Sequence, residues 1–329
     1  MEIVLSGIRP TGNLHLGNYF GALQNFIKMQ QEHCCYFFIA DLHSLTTHPK
    51  SLGFHENVKN VLAEYLAAGL DPEVATLYIQ SDVPEVSELY VLLNMLAYQG
   101  ELERTTSFKD KVRKHSDNVN AGLLTYPVLM AADILIHRAA KVPVGKDQEQ
   151  HLEMTRTFAR RFNNLYGADV FPEPAAFNFG NKLVKIPGLD GSGKMGKSEG
   201  NGIFLVDDEK TVTKKVMHAL TDSGPTAPNS PMTEPVRNIF TLLEVVSTPD
   251  TVAYFREKYN DCSIRYGDLK KQLAADVWKK IAPIHERITE IKANNDYLRK
   301  VTKNGALKAR ESAQATLKEA KKAIGFRTF

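Results

Sequence analysis

Residues 3–31 read IVLSGIRPTGNLHLGNYFGALQNFIKMQQ, and this segment sets the architecture expected for the first half of the chain. The apolar run at 3–5 predicts a strand, and the apolar spacing over 17–31 predicts a helix. A glycine-rich turn lies between them. Ligands of a parallel sheet bind beyond the carboxyl ends of its strands, where the free N–H groups of a following helix attract anions. This turn is therefore the first candidate ligand site.

The alternation of strand and helix continues through the first hundred residues. Residues 35–40 form a continuous apolar run, which is typical of a strand covered on both faces. A helix over 58–68, a strand over 76–80 and a helix from Pro84 follow it. This order predicts an α/β fold with a doubly wound, Rossmann-like parallel sheet.

The rest of the chain departs from this rhythm. The predicted segments are an insertion over about 104–140 with a helix at 121–136, a strand at 141–145, a helix at 148–162, a last strand signal at 202–206, and helices at 241–246, 276–291 and 306–323. We therefore predict an α/β domain over residues 1–205 and an all-α domain over 206–329.

The composition is that of an ordinary soluble protein. Of the 329 residues 43% are hydrophobic and 24% charged, and no apolar run approaches the roughly 20 residues of a membrane span. The chain begins without the basic and long apolar segments of a secretory signal. Three cysteines, two of them adjacent at 34 and 35, indicate neither a disulfide framework nor a zinc site. We expect a cytoplasmic protein with no membrane partner.

Basic residues are concentrated toward the end of the chain. Residues 201–329 contain 22 Lys and Arg against 16 Asp and Glu, whereas residues 1–200 contain 19 against 22. A basic surface attracts polyanions, because neutralised phosphates release their counterions. Taken alone, a solvated helix face is the simpler explanation.

A second candidate site lies at residues 194–198, which read KMGKS between two glycine-rich stretches. Lys194 and Lys197 place two ammonium groups on a loop that glycines leave free to move. Nucleotidyl transfer from ATP requires such groups, because charge accumulates on the departing pyrophosphate. His15 and Asn18 of the first turn offer donors to a phosphate. Each loop alone is also compatible with an ordinary glycine-rich surface turn.

Together these segments resemble a known family. HLGN at 15–18 and KMGKS at 194–198 are similar to the HIGH and KMSKS signatures of class I aminoacyl-tRNA synthetases. Bacterial tryptophanyl-tRNA synthetases in particular resemble the segments GELER at 100–104, FKDK at 108–111, AGLLTYPVLMAADILI at 121–136 and VPVGKDQEQ at 142–150. The resemblance extends over nearly the whole chain and is closest in residues 1–200.

The resemblance implies a two-step reaction on a HUP-type catalytic domain. The carboxylate of L-tryptophan attacks the α-phosphate of Mg-ATP to give tryptophanyl-adenylate and pyrophosphate, and the tryptophan then passes to the 3′ end of tRNA(Trp). It also implies a helical anticodon-binding domain at the C-terminus and a homodimer. ATP brings Mg²⁺ with it, and no metal ligand in the protein is predicted.

The resemblance also implies roles for individual residues. Catalysis falls to His15, Asn18, Lys109, Lys111, Lys194, Lys197 and Ser198. ATP binding falls to Arg9, Pro10, Thr11, Gly17, Asn18, Gly145, Lys146, Asp147, Val184, Lys194, Met195, Gly196, Lys197 and Ser198. Tryptophan binding falls to Leu5, His43, Tyr126, Met130, Asp133, Val142, Val144 and Gln148.

Asp133 carries most of the expected specificity. It lies among apolar residues, and a lone carboxylate there is costly unless a donor pairs with it. The family's matching aspartate accepts the indole N–H of tryptophan, and a site built on such a pair rejects analogues that lack the donor. A buried Asp satisfied by another protein group is the structural alternative.

Four positions depart from the family pattern. Arg9 stands where glutamine is usual, Lys146 where glutamate is usual, Gly196 in place of the middle serine, and Leu5 in place of a common phenylalanine. The first two add positive charge beside the expected triphosphate, so they change the predicted ATP and metal contacts.

Three other functions fit parts of the pattern. Tyrosyl-tRNA synthetases share the fold, but the VPVGKDQ segment at 142–148 argues against tyrosine. Small nucleotidyltransferases share the first loop but usually lack a helical domain of this size. A non-catalytic RNA-binding paralogue would not need the intact Lys194, Lys197, His15 and Asp133.

Overall fold

The structure is a computed structural model. It describes residues 2–114, 117–145, 148–177, 185–197 and 199–327, with the side chains of residues 107, 111 and 114 outside it. The predicted site residues Lys146, Asp147, Val184 and Ser198, and the side chain of Lys111, therefore lie outside the described residues.

Five parallel strands form one sheet within the described ranges. They are β1 (Ile3–Ile8), β2 (Cys34–Ile39), β3 (Thr76–Ile79), β4 (Lys141–Val142) and β5 (Ala175–Ala176). Their spatial order is β3-β2-β1-β4-β5, and each neighbouring pair is parallel. The chain thus winds outward in one direction from β1 and then in the other from β4, which confirms the doubly wound fold.

Helices connect the strands and make up the C-terminal part. They are α1 (Leu16–Asn18), α2 (Gln24–Met29), α3 (Asp41–Ser44), α4 (Phe54–Ala68), α5 (Pro84–Asn94), α6 (Gln99–Glu103), α7 (Thr106–Lys114), α8 (Ala121–Ile136), α9 (Glu149–Tyr166), α10 (Glu209–Met217), α11 (Glu234–Val246), α12 (Pro249–Asn260), α13 (Tyr266–Ala293) and α14 (Asn295–Ile324). A π-helical turn over Tyr19–Leu23 joins α1 to α2. The sequence pattern did not predict α10 and α12.

Each face of the sheet has its own hydrophobic core. Alternate side chains of β2 enter opposite cores, because successive residues of a strand point to opposite faces. One core contains Phe37 with α4, α11 and α13, and the other contains Phe38 with α5, α8 and α9. This arrangement confirms that the second strand is covered on both faces.

Helices from beyond residue 205 pack directly on the sheet layers. The helix α13 contacts α4, and α14 contacts β3. The predicted division into residues 1–205 and 206–329 stays a prediction, since both parts contribute to the same cores. None of the helices in the described ranges is long and apolar enough to span a membrane.

Two strand predictions were wrong in extent. Residues 202–206 do not form a strand; Phe204 makes a single bridge to His15 instead. The strand predicted at 141–145 ends at Val142, and Pro143, which has no N–H to donate to a neighbouring strand, follows it. The two-residue β5 had no strand signal, since alanine is depleted in strands.

The approach of α14 to β3 is close enough to require glycine. A Cβ built at the buried Gly305 would lie 1.7 Å from the carbonyl oxygen of Leu77. No side chain fits at that distance, so α14 would have to move away from the sheet.

We expect Gly305→Ala to lower the free energy of unfolding by about 3 kcal/mol, at the upper end of the cost of overpacking. Thermal or urea unfolding measures the change. Gly267→Ala in α13 is the matched control, because a Cβ there meets nothing within 4 Å. The control should be neutral or slightly stabilising, since alanine favours helix more than glycine. Equal stability of Gly305→Ala and the wild type would contradict the close approach.

Candidate active site

A cavity of about 580 Å³ opens beyond the carboxyl ends of β1, β2 and β4. It lies at the point where the strand order reverses, between β1 and β4, which is where doubly wound sheets bind ligands. All residues predicted for tryptophan line it: Leu5, His43, Tyr126, Met130, Asp133, Val142, Val144 and Gln148. Arg9, Thr106 and Asp110 also contribute to its wall.

Asp133 is the buried polar centre of the cavity. It is 1% exposed on α8, and Gln80 Nε2 donates to its Oδ1 at 2.8 Å. Its Oδ2 lies 2.8 Å from His43 Nε2. Burial raises the pKa of this carboxyl, and the hydrogen bond from His43 opposes the shift. Since a carboxylate has about four acceptor sites, Asp133 retains capacity for a ligand N–H.

A hydrogen-bonded chain fixes two other lining residues. Tyr126 Oη lies 2.5 Å from His151 Nε2, and His151 Nδ1 lies 3.0 Å from Gln148 Oε1. His151 is 1% exposed and does not line the cavity itself. Sequence reasoning missed His151 and Gln80, because nothing local distinguishes them from other polar residues.

The first glycine-rich loop is anchored by the residue that starts α1. His15 Nδ1 accepts from the N–H of Asn18 at 3.3 Å, and Asn18 Oδ1 accepts from the N–H of His15 at 3.2 Å. Burial, together with the charges of Lys197 and Lys194, lowers the pKa of His15 to about 4. His15 is therefore a neutral donor or acceptor at pH 7.

Gly12 gives this loop its turn. Its φ is +113°, in the region that favours glycine, and a side chain there would be strained. Its carbonyl oxygen accepts from Lys197 Nζ at 3.1 Å, so the second loop reaches the first directly. Lys194 is exposed nearby, close enough for its charge to affect His15.

The two loops are also joined through the backbone. The N–H of Leu16 donates to Ile203 O, and the N–H of Leu205 donates to Leu14 O, both at 2.9 Å. The loop that carries Lys194 and Lys197, called the dilysine loop below, is fixed by Asn201. The Oδ1 atom of Asn201 accepts from the N–H of Gly196, and its Nδ2 donates to Lys194 O. Sequence analysis missed Asn201, although it noted the glycines on either side of it.

The remaining predicted residues are placed less centrally. Pro10 and Met195 are buried, Gly17, Gly145 and Gly196 are half-buried, and Thr11 is exposed. Lys109 is exposed on α7 and does not line the cavity, although Thr106 and Asp110 of the same helix do. Within the described ranges no three His, Cys, Asp or Glu side chains are grouped as metal ligands.

The chain matches a family of known enzymes over most of its length. The family described as "tRNA synthetases class I (W and Y)" matches residues 2–281. A tryptophan–tRNA ligase of Porphyromonas gingivalis is 64% identical over 327 residues, covering 99% of this chain and 100% of the relative. A second tryptophan–tRNA ligase, from Fusobacterium nucleatum, is 41% identical and covers 99% of this chain and 98% of its own.

A solved structure is similar over the whole fold. It is the tryptophanyl-tRNA synthetase of Campylobacter jejuni complexed with ADP and tryptophan, at 34% identity and a TM-score of 0.88. The match covers 98% of this chain and 100% of that one. The cavity, the two joined loops and these similarities all indicate the same family. The chain belongs to the class I tRNA synthetases for tryptophan and tyrosine.

Proposed function

We propose that the chain is a tryptophan–tRNA ligase. It activates L-tryptophan with ATP to tryptophanyl-adenylate and pyrophosphate, and then transfers tryptophan to the 3′ end of tRNA(Trp). The observation that carries this proposal is the cavity at the switch point, in which apolar walls surround the buried Asp133 beside two joined phosphate loops. The identity with tryptophan–tRNA ligases over the full length supports the same amino acid.

The indole ring of tryptophan is proposed to occupy the cavity between β1 and β4. Val142, Val144 and Met130 offer flat apolar walls, and Asp133 accepts the indole N–H. The hydrogen bonds that link Tyr126, His151 and Gln148 position polar atoms at the same cavity. These atoms are proposed to bind the α-amino group of the substrate. The C. jejuni relative binds tryptophan on the same fold.

ATP is proposed to lie across the joined loops. Its phosphates meet the glycine-rich loop near α1, where the charges of Lys194 and Lys197 favour an anion. Lys194 and Lys197 then stabilise charge on the departing pyrophosphate, and catalysis consists of alignment and charge stabilisation. Roles for Lys109, Lys111, Lys146, Asp147, Val184 and Ser198 in ATP binding or catalysis belong to this proposal.

Mg²⁺ is proposed to enter with ATP. Mg²⁺ prefers phosphate oxygens and water to dedicated protein cages. It would supply charge neutralisation on the phosphates, while the residues of this chain orient the α-phosphate toward the tryptophan carboxylate.

We further propose a cytoplasmic homodimer that binds tRNA through a helical region over about 206–329. The end of α5 and the residues after it expose Val91, Met95 and Tyr98, at 51%, 75% and 61%, and apolar side chains of this size favour a covered surface. The excess of basic residues beyond position 200 supports attraction to tRNA.

Pyrophosphate exchange tests the reaction and the amino acid together. We expect label from pyrophosphate to enter ATP in the presence of tryptophan. None of the other nineteen amino acids should support exchange at a comparable rate. Exchange with tyrosine alone would overturn the specificity, and absence of exchange with every amino acid would favour a non-catalytic paralogue.

Asp133→Asn tests the indole contact. We expect kcat/KM for tryptophan to fall by about 10²-fold. The amide NH₂ of the new side chain can only donate, and it would face the indole N–H or the Gln80 amide, which also donate. The KM for ATP should stay within about twofold, since Asp133 does not contact the phosphate loops. Glu85→Gln is the control, because Glu85 on α5 is another buried carboxylate. Arg310 and Gln314 of α14 donate to it. Unchanged tryptophan kinetics in Asp133→Asn would remove the proposed role.

Lys194→Ala tests the dilysine loop. We expect the rate of adenylate formation to fall by about 10²-fold, the usual cost of removing one charge-stabilising donor. Tryptophan binding without ATP should persist, and calorimetry measures it. Lys300→Ala, which removes an exposed lysine of α14, is the control for loss of charge. Parallel losses in both variants would show a general electrostatic effect and no role in phosphate chemistry.

A further inference from the structure

One buried carboxylate near the nucleotide loops has no role in the reaction described so far. Glu64 lies on α4 and is 0% exposed. Its Oε2 accepts from the N–H of Leu14 at 2.6 Å, inside the first loop. Its Oε1 is buried and makes no hydrogen bond within the described residues. A carboxylate rarely occupies such a position unless its charge or its acceptors are used.

Lys197 is bound to the same segment from the other loop. Lys197 Nζ donates to the carbonyl oxygen of Gly12, two residues before the N–H that Glu64 accepts. The Glu64 carboxyl group and the Lys197 ammonium group thus bind the same turn of backbone, at Leu14 and at Gly12. Leu14 also accepts from the N–H of Leu205, so three parts of the chain meet at this residue.

The charges of Glu64 and Lys197 also act on each other. Burial raises the pKa of Glu64 to about 8, and the charges of Lys197 and Lys292 oppose this shift. Burial lowers the pKa of Lys197 to about 8, the charge of Glu64 opposes this shift, and Arg9 adds to it. At pH 7 Glu64 is therefore mostly protonated. As it ionises near pH 8, its negative charge favours the ammonium form of Lys197.

We propose that Glu64 is a positioning residue for adenylate formation, holding the first loop through Leu14 and, as it ionises, keeping Lys197 in its charged form. The proposal rests on the proposed function, because Lys197 must carry its proton to stabilise the leaving pyrophosphate. Glu64 touches neither substrate and acts through these two residues. A leucine at this position would fill the space but would provide neither the acceptor nor the charge.

Glu64→Gln separates the two contributions. The amide oxygen still accepts from Leu14, whereas the negative charge is lost. We expect near wild-type pyrophosphate exchange at pH 6, where Lys197 is protonated in both proteins. The basic limb of the kcat profile should move to lower pH by about one unit, because Lys197 loses the anion that favours its charged form.

Four further variants test whether this shift belongs to the Glu64 charge and to Lys197. Glu64→Asp keeps the charge and should restore the basic limb, even if the shorter side chain raises the KM for ATP. Glu64→Leu removes acceptor and charge, and should raise the KM for ATP beyond that of Glu64→Gln. In a Lys197→Ala background, Glu64→Gln should cause no further shift. Glu85→Gln controls for loss of a buried carboxylate elsewhere and should leave the pH profile unchanged.

The outcomes distinguish this proposal from the one it rests on. Coincident basic limbs for wild type, Glu64→Gln and Glu64→Asp would overturn the role of the charge, even with full exchange activity. A shift that persists in the Lys197→Ala background would assign the charge to another group and overturn the pairing. An unchanged KM for ATP in Glu64→Leu would overturn the hold on the loop. Absence of tryptophan-dependent exchange in the wild type would instead reject the ligase function. Circular dichroism and thermal unfolding of each variant check that the fold is retained.

Discussion

The junction between residues 14–16 and 203–205 is the constraint on which the proposed nucleotide site depends. Two backbone hydrogen bonds join segments that are far apart in sequence. Each contributes only about 1 kcal/mol net, which is small beside the entropy of closing so long a loop. The apolar side chains around the junction, Leu14, Leu16, Ile203 and Leu205, are all 0% exposed and contribute roughly 2 kcal/mol each. Packing therefore holds the loops together, and the hydrogen bonds set their register.

This junction places several cationic groups around a partly buried turn. Burial would make a charged imidazole costly beside two lysines, and His15 is accordingly neutral. Lys197 is held in the same surroundings by the carbonyl oxygen of Gly12 and by its interaction with Glu64. A triphosphate bound here would relieve the repulsion between Arg9 and Lys197. Binding of an anion at this turn is therefore favoured.

The sequence predicted the elements whose signal is local. The apolar runs of β1 to β3 and the helix α8 match their predicted positions, because long apolar periods leave few alternatives. The two-residue strands β4 and β5 depend on pairing across the sheet, which no local pattern reveals. Glu64 is the clearest case of the same limit. A glutamate in a helix is usually solvated, and only the packing of α4 beneath the first loop shows that this one is buried. The burial of Asp133 could be predicted from the sequence, because its own helix is apolar on nearly every side.

The polar centre of the cavity owes its geometry to the sheet. His43 follows β2, Gln80 follows β3, and both meet Asp133 from α8. His43 and Gln80 belong to different elements, so two hydrogen bonds hold the carboxylate in place before any substrate binds. In the proposed complex the indole N–H donates to this carboxylate. A ring without an N–H would leave an acceptor unpaired, at a cost of about 1–3 kcal/mol. At 1.4 kcal/mol per factor of ten, the proposed contact would discriminate by roughly 10- to 100-fold, and the shape of the apolar walls would supply the rest.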